Sequence, residues 1–524
     1  MRYAGRIDSW DNVSATLIKC EENDTTVRLA LNQLLAEQKS CFGMIICQTD
    51  QFLAISDQVR SYPIFYSTTE TERLVSTNPR NSSFECLRDS VSEEAVQEFL
   101  LCGYVLGSRT LYSRLYQLPA GHYLWLDGSN KKLMVDKYYE YLPDVDSSVS
   151  SVGLVEKFNR VLDASFERLI RNLDGRPAWI PLSGGLDSRL VLCKLLEHKY
   201  DRIHSFSYGV NNNHEMRMAK YIAKKVDVPW VAVPSKLTNL RKLYCSNTRK
   251  SYADYSDGFN CVPTYLDFEA IDSLRQSQVI PNEAVIVNGY SGDFLFGGHV
   301  PQQLVNNPSV NNLVEQIISK HCSHVNTPEF NRIQDALRSK FGKKLFSHYG
   351  ELVDQEKICA LYEHWDWKER QVKAVVNGQR VYEYFGLDWC LPFWDLDLMN
   401  FWSTVPADQK YQQLLHVTFL KEYNFRGAFT KLRSSNELWM PHWKWMPFVA
   451  TILESVAGKS AKQKFYEYMF YFGYFRNQLG LFGFDSYRHL YKRLRRPRVV
   501  PIAAIYRLNE LNLSSYLPRS LQHE

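Results

Sequence analysis

The stretch Leu182-Ser183-Gly184-Gly185-Leu186-Asp187-Ser188 is the part of this chain that is most informative about its fold. It follows an apolar run, Ala178 to Leu182, that is typical of a buried strand, and it precedes a segment whose apolar residues recur at helical spacing. Two glycines let the backbone approach an anion, the N–H groups at the helix start converge on that anion, and the two serines can donate hydroxyl hydrogen bonds. The stretch therefore predicts a pyrophosphate-binding loop.

This predicted loop is not of the Walker A type, because no lysine follows its glycines. An aspartate inside an anion site is favourable when a cation lies between it and the phosphates, so Asp187 indicates magnesium. An ordinary strand-to-helix turn with a polar cap is the simpler interpretation. A second acidic loop around Asp293 makes that interpretation the weaker one.

Outward from the loop, apolar strand-like runs alternate with helical segments. The runs are 203–209, 229–234 and 284–289, and the helical segments are 155–170, 189–199 and 214–225. Such alternation predicts a parallel, doubly wound sheet with ligands at the carboxyl ends of its strands. The chain after about residue 310 is expected to be mostly helical.

The first ~140 residues differ, because their short apolar and β-branched runs are separated by polar turns. The runs at 41–48, 52–57, 63–67 and 122–127 predict an antiparallel sheet module. The polar segment Leu142 to Gly153 predicts a linker. We therefore expect two domains, 1–150 and 151–524, in an α/β protein.

Composition excludes several classes of protein. Hydrophobic residues make up 45% and charged residues 23% of the 524 positions, which excludes a wholly disordered chain. A net charge of +5 gives no sign of a nucleic-acid binder. The sequence has no C-x-x-C pair, no secretory signal and no apolar run long enough to span a bilayer, so we expect a cytoplasmic protein without zinc or a transmembrane segment.

Three motifs in order resemble the asparagine synthetase family of PP-loop ATP pyrophosphatases. Ser183 to Ser188 matches the family signature S-G-G-x-D-S. Asn288 to His299 is similar to S-G-E-G-x-D-E-x-F-G-G-Y, and Leu391 to Asp395 is similar to V-P-F-L-D. The resemblance implies an adenine nucleotide α-hydrolase-like synthetase domain with a helical C-terminal part, preceded by an Ntn-hydrolase-like (αββα), glutamine amidotransferase-like domain.

The resemblance also implies an activity. Members of this family bind ATP and magnesium, adenylate a carboxylate, release pyrophosphate and let an amine displace AMP, as in asparagine biosynthesis. Carried over by position, the resemblance makes Asp187 and Asp293 the expected magnesium ligands. It assigns Leu182 to Ser188 to the pyrophosphate and places Gly289 near the adenosine.

The N-terminal domain departs from the family pattern. Glutamine-dependent members begin Met-Cys-Gly and use that cysteine as a nucleophile, whereas this chain has Arg2, whose guanidinium cannot serve as one. Phe42-Gly43-Met44 and Ser56 to Tyr66 still resemble the family's G-M-F-A and R-D-x-x-G-x-x-P-L-Y-Y. We therefore expect a degenerate domain that keeps its fold without glutaminase chemistry. Cys20, Cys41 and Cys47 are alternative nucleophiles, but the last two are more typical of core positions.

The second loop carries Tyr290 where asparagine synthetases have glutamate, and Phe294 replaces another family acid. β-lactam synthetase has a tyrosine at the first position and pairs it with a carboxylate a few residues before P-F-x-D, the position of Asp388 here. The resemblance thus implies a Tyr290–Asp388 pair that accepts a proton from the amine. Packing against adenine or substrate is the other interpretation of Tyr290. Lys431 is expected to stabilise the charge on departing AMP, with Lys421 as the alternative.

The resulting hypothesis is an AMP-forming amide ligase. Its substrate would be a small-molecule or peptide carboxylate, and its nitrogen would come from ammonia, an amine or a separate glutaminase. A non-catalytic ATP-binding or regulatory relative is the alternative, and a nucleic-acid-modifying PP-loop enzyme is a third hypothesis that lacks a recognisable RNA-binding module. The basic run Lys492 to Arg498 is best interpreted as a solvated face. The sequence does not decide between a monomer and a homodimer.

Overall fold

The structure is a computed structural model. The structure describes residues 2–5, 31–33, 35, 38–48, 51–68, 73–127, 132–144, 151–211, 213–235, 237–322, 328–349, 354–431, 445–470 and 499–518. Cys20, the middle of the predicted linker and the basic run 492–498 lie outside these residues. The domain boundary near residue 150 therefore stays a prediction.

The N-terminal module is antiparallel, as its short apolar runs between polar turns predict, but its described strands form two sheets and not one. The five-stranded sheet has the order β1-β2-β3-β7-β8, and the three-stranded sheet has the order β5-β4-β6. Neighbouring residues of one strand enter different cores, since Met44 packs with Ile55 on one face and Ile45 packs with Ala54 on the other. The strands are β1 Arg2–Gly5, β2 Phe42–Gln48, β3 Gln51–Ser56, β4 Phe65–Thr68, β5 Arg73–Ser76, β6 Tyr116–Gln117, β7 His122–Asp127 and β8 Lys132–Lys137.

The second half of the molecule is built on a parallel sheet of five strands in the order β11-β10-β9-β12-β13. Its strands are β9 Ala178–Pro181, β10 Ile203–Val210, β11 Trp230–Ser235, β12 Val285–Val287 and β13 Asp388–Cys390. The strand order reverses between β9 and β12, which is the position where ligands bind in open α/β sheets. The predicted α/β fold is confirmed, and β13 is a strand that the sequence pattern did not indicate.

Helices cover the parallel sheet and form most of the later chain. They are α1 Glu93–Cys102, α2 Ser151–Leu173, α3 Leu186–Glu197, α4 His214–Val226, α5 Leu237–Tyr244, α6 Asn247–Ser256, α7 Phe268–Gln276, α8 Gly292–Leu295, α9 Gln302–Asn306, α10 Val310–His321, α11 Pro328–Tyr349, α12 Gln355–Trp365, a π-helix Asp366–Val375, α13 Arg380–Tyr384, α14 Leu396–Ser403, α15 Ala407–Lys410, α16 Leu414–Tyr423, α17 Met446–Phe470 and α18 Val499–Glu510. Short 3-10 turns lie at Ser82–Leu87, Val376–Gln379, Pro392–Trp394, Tyr411–Gln413, Phe425–Gly427 and Ser514–Tyr516.

The last helix returns to the N-terminal module. Ile502, Ile505 and Leu508 of α18 share a buried cluster with Phe99 and Leu100 of α1. Arg507 of α18 donates from Nε to Asp257 Oδ2 over 2.7 Å. Among the described residues, no helix combines the length and the apolar character that crossing a membrane requires.

Candidate functional site

The predicted pyrophosphate loop joins the end of β9 to the start of α3. Gly185 is the N-cap of this twelve-residue helix. Ser183 Oγ lies 3.1 Å from Ser188 Oγ, and the Gly185 N–H donates to Ser183 Oγ over 3.0 Å. The loop thus places two hydroxyls beside the positive end of a helix dipole, an arrangement that suits phosphate oxygens.

Arg189 holds this loop against the segment that carries Lys431. Its guanidinium is fully buried and donates from Nη2 to Gly184 O over 2.8 Å and from Nη1 to Lys431 O over 2.9 Å. The Lys431 side chain is exposed, and its Nζ lies 5.9 Å from the centre of the Tyr221 ring. Lys421, the alternative, is exposed in the last turn of α16. The structure brings the Lys431 backbone to the loop, and the role of its ammonium stays a prediction.

The second acidic loop follows β12 and packs directly on the first loop. A Cβ atom added to Gly289 would lie 2.8 Å from the Ser188 nitrogen, and one added to Gly292 would lie 2.5 Å from Asp187 Cγ. Both distances are shorter than nonbonded carbon contacts allow, so glycine is needed where the loops touch. The two motifs therefore meet at the point where the strand order reverses.

Asp187 and Asp293 face each other across this contact. The Asp293 backbone N–H donates to the Asp187 carboxylate, and the pKa of Asp187 is raised to about 8 by its withdrawal from solvent and by the negative charge of Asp293. Two carboxylates in mutual repulsion are the oxygen donor set that a hard divalent cation favours. The residues present therefore fit magnesium. Among the described residues, no group of three or more His, Cys, Asp or Glu side chains is arranged to hold a metal ion, here or elsewhere, so the protein would offer magnesium this pair of carboxylates alone.

His299 contacts this pair, although motif reasoning did not single it out. Its Nε2 lies 3.0 Å from Asp293 Oδ2, and its Nδ1 lies 2.7 Å from Asp366 Oδ2. Burial alone would lower the pKa of His299, but the hydrogen bonds to the two carboxylates raise it overall. Lys320 Nζ donates to His299 O over 3.1 Å. His299 ends the second motif, where the family has tyrosine, and that replacement was the available signal.

Tyr290 also lies at this edge of the sheet, but its carboxylate partner is Asp267. The Tyr290 hydroxyl donates to Asp267 Oδ2 over 3.3 Å, and the Tyr382 hydroxyl donates to the same atom over 2.6 Å. Asp267 is 4% exposed, and burial raises the pKa of its carboxyl. Burial and the Asp267 charge raise the pKa of Tyr290 well above its usual value.

The position of Asp388 corrects the expected Tyr290–Asp388 pair. Asp388 opens β13 and is paired with Val285 at the start of β12, whereas Tyr290 follows the end of β12. Strands of three residues separate the two ends by about 10 Å. The exposed Asp388 side chain instead accepts from Arg176 Nη1 over 2.5 Å and lines a cavity of about 360 Å³ beside Tyr62 of the N-terminal module.

The third motif, Leu391 to Asp395, has a structural role. Asp395 accepts from Arg168 Nε over 2.8 Å and from Arg168 Nη2 over 2.6 Å, and it caps α14 by accepting from the Asp397 N–H over 3.0 Å. This bidentate ion pair is mostly buried and joins α2 to the turn after β13. The motif thus fixes the sheet edge and does not contact the acidic pair.

We predict that Arg168→Met destabilises the protein by about 3 kcal/mol, because it leaves the buried Asp395 carboxylate without its guanidinium. Urea unfolding should show a lower midpoint. Lys39→Met is the control, since Lys39 makes an exposed ion pair with Asp397 and should shift the midpoint little. Equal midpoints for Arg168→Met and the wild-type protein would contradict this role of the third motif.

The family model described as asparagine synthase matches residues 157–432, which include all three motifs. The microcin J25-processing protein McjC of Escherichia coli is 22% identical over 256 residues, or 47% of this chain. The aligned region spans 44% of that relative's length.

Proposed function

The chain belongs to the asparagine synthase family of ligases, and from that premise we propose that it adenylates a carboxylate with ATP and transfers it to an amine or to ammonia. The observation that carries the proposal is the contact of the two acidic loops, in which the Asp293 N–H donates to the Asp187 carboxylate at the sheet's reversal point. A non-catalytic relative would have no need to keep both carboxylates in this arrangement. The preserved pair therefore favours an enzyme.

In the proposed reaction the loop at the start of α3 holds the departing pyrophosphate through its N–H groups and serine hydroxyls. Asp187 and Asp293 would hold magnesium, which supplies charge neutralisation to the phosphates. The attacking amine passes a proton to the Tyr290 hydroxyl oxygen while Tyr290 passes its own proton to Asp267. A carboxylate with a raised pKa suits this task, because it accepts the proton more readily than an ordinary aspartate.

The first test is the identity of the products. We expect incubation with ATP, magnesium, a panel of carboxylates and either ammonia or an amine to release pyrophosphate and AMP, because the loop would hold the β and γ phosphates and leave the α phosphate to react. Release of pyrophosphate can be followed directly for each carboxylate, with ADP measured in the same samples. ADP and orthophosphate as the sole products would refute the adenylation mechanism.

We further propose a peptide as the carboxylate substrate. The sequence leaves small metabolites, peptides and sugar acids open, and similarity to a protein named for processing microcin J25 supports the peptide class among them. The panel should therefore contain peptides with free side-chain and terminal carboxylates beside free aspartate. Turnover of free aspartate alone would favour an asparagine-forming enzyme.

We also propose that the nitrogen donor is not glutamine hydrolysed by this chain. Arg2 lies in β1, opposite Ile45 of β2. Burial and the charge of Asp57 raise the pKa of Cys41 well above its usual value, so its thiol is not an activated nucleophile. Isotope-labelled glutamine should yield no labelled glutamate. A parallel incubation with magnesium and added ammonia in place of glutamine serves as the control. Steady glutamate formation would overturn this prediction.

A further inference from the structure

The π-helix Asp366–Val375 lies between the N-terminal module and the second acidic loop. Such helices are rare and occur frequently at functional sites. Three of its residues face the module (Trp367, Glu369 and Lys373), and three contact the loop or its neighbours (Asp366, Arg370 and Gln371). No motif of the family resemblance covers this segment.

On the module side, buried polar groups fix the π-helix to backbone atoms of the first 110 residues. Trp367 Nε1 donates to Gln58 O over 3.1 Å, and Lys373 Nζ donates to Val105 O over 2.9 Å. The Gly107 N–H donates to Glu369 Oε2 over 3.0 Å. Trp367 is 2% exposed, and Glu369 and Lys373 form an ion pair inside this interface. Each of these hydrogen bonds replaces one that the buried group would otherwise make with water. Any other arrangement of the interface would leave buried polar groups unpaired, which favours this one geometry.

On the other side, the same helix holds the second acidic loop. Asp366 contacts His299, which contacts Asp293, and Gln371 Nε2 donates to Asp366 Oδ1 over 3.3 Å. Ser291 Oγ donates to Gln371 Oε1 over 3.1 Å. Asp366 is fully buried and Gln371 is 1% exposed. Asp293 is therefore connected to the π-helix through His299 and through its own loop.

Two strained residues lie at the ends of this connection. Ser291 has φ +69°, and Arg60 has φ +55° at the position where the motif R-D-x-x-G-x-x-P has glycine. Left-handed backbone costs about 1–2 kcal/mol for such residues, and it persists where the surroundings fix it. Arg60 is 2% exposed and donates from Nη1 to Val372 O over 3.4 Å. Strain is thus maintained on both sides of the π-helix.

We propose that the N-terminal module positions Asp293 through the π-helix, with Trp367, Glu369 and Lys373 as positioning residues. The inference rests on the proposed role of Asp293 in binding magnesium with ATP. It gives the module a function that does not need a glutaminase nucleophile. The module acts here as a support whose contacts determine where the second acidic loop lies.

Two variants test the proposal in the full-length chain. Trp367→Phe removes the donor to Gln58 and keeps an aromatic ring. Glu369→Gln with Lys373→Met removes a buried ion pair without leaving a single charge, a change that is often neutral for stability. Lys39→Met is the matched control, because Lys39 joins the two halves through Asp397 and does not touch the π-helix.

The first measurement is amide hydrogen exchange of residues 288–299, which needs neither substrate nor activity. We expect on the order of 10-fold faster exchange in both π-helix variants and no change in Lys39→Met. The second measurement is the magnesium concentration needed for half-maximal ATP binding, which should rise on the order of 10-fold, as for other changes behind a metal ligand. A role in stability alone would leave this concentration unchanged at a temperature where the variants are folded.

Unchanged exchange of residues 288–299 in both variants would overturn the proposal, and so would an equal change in the control. Failure of the wild-type protein to bind ATP with magnesium would instead refute the proposed function. In that case hydrogen exchange still decides whether the module positions the loop. The two failures are therefore distinguishable.

Discussion

Asp187→Asn should reduce carboxylate-dependent pyrophosphate release by about 10² to 10³-fold while the protein stays folded. The change removes one of two charges that would hold magnesium against the phosphates, and interactions of this kind contribute about 3–4 kcal/mol to a transition state. Asp293→Asn should have the same effect. Pyrophosphate release by either variant at the wild-type rate would refute the proposed role of the two carboxylates, whereas a wild-type protein without carboxylate-dependent pyrophosphate release would favour the regulatory alternative.

Stability provides the control for this loss. The pKa of Asp187 is raised from 3.8 to about 8, so between these values the folded protein binds a proton that the unfolded chain releases. Stability conferred at this position therefore falls as pH rises through that window. Without magnesium, Asp187→Asn should melt no lower than wild type, with an advantage that is larger at pH 8 than at pH 5. A lower melting temperature at pH 8 would indicate that the activity loss reflects misfolding.

Tyr290→Phe should separate the two half-reactions. Adenylation, followed by pyrophosphate exchange, should survive, while amide formation should fall about 10² to 10⁴-fold because a positioned proton acceptor is lost. Asp267→Asn should produce a similar but milder separation, since the amide can still accept a hydrogen bond from Tyr290. Both activities must be measured on the same preparations, because only their ratio identifies a proton-transfer role.

Tyr382→Phe is the matched control for this prediction. Its hydroxyl donates to the same Asp267 oxygen as Tyr290 does, but Tyr382 is fully buried and cannot reach a substrate. We expect it to lower stability more than the activity ratio. If Tyr290→Phe is nearly silent in both half-reactions, Tyr290 has a packing role. Equal loss in both would indicate a nucleotide-binding role.

The sequence was sufficient for the parallel sheet and for the meeting of the two acidic loops. Apolar periodicity predicts four of the five parallel strands, and the rule that ligands bind at strand carboxyl ends predicts that Asp187 and Asp293 lie together. The family match to residues 157–432 confirms the resemblance on which the remaining site residues depended. Those residues stay predictions, with Asp388 replaced by Asp267.

The partner of Tyr290 could not be predicted from its motif. Asp267 precedes Tyr290 by 23 residues and lies just before α7, so only the folded sheet brings them together. The strand β13 has three residues, too few to show a period, and this concealed the fact that Asp388 lies at its distant end. The π-helix has no sequence signature of its own. Contacts between remote elements, rather than local pattern, determine these features.

The return of α18 to the N-terminal module affects the order in which the protein is made. During synthesis the cluster around Phe99 and Leu100 emerges from the ribosome about 400 residues before Ile502 and Ile505, its partners in the folded protein. At a translation rate of about 5–20 residues per second, that apolar surface stays exposed for roughly 20 to 80 seconds before α18 is synthesised. Nascent chains of this protein therefore expose an apolar, aggregation-prone N-terminal surface while these residues are translated. Chaperone binding at that stage would favour correct assembly.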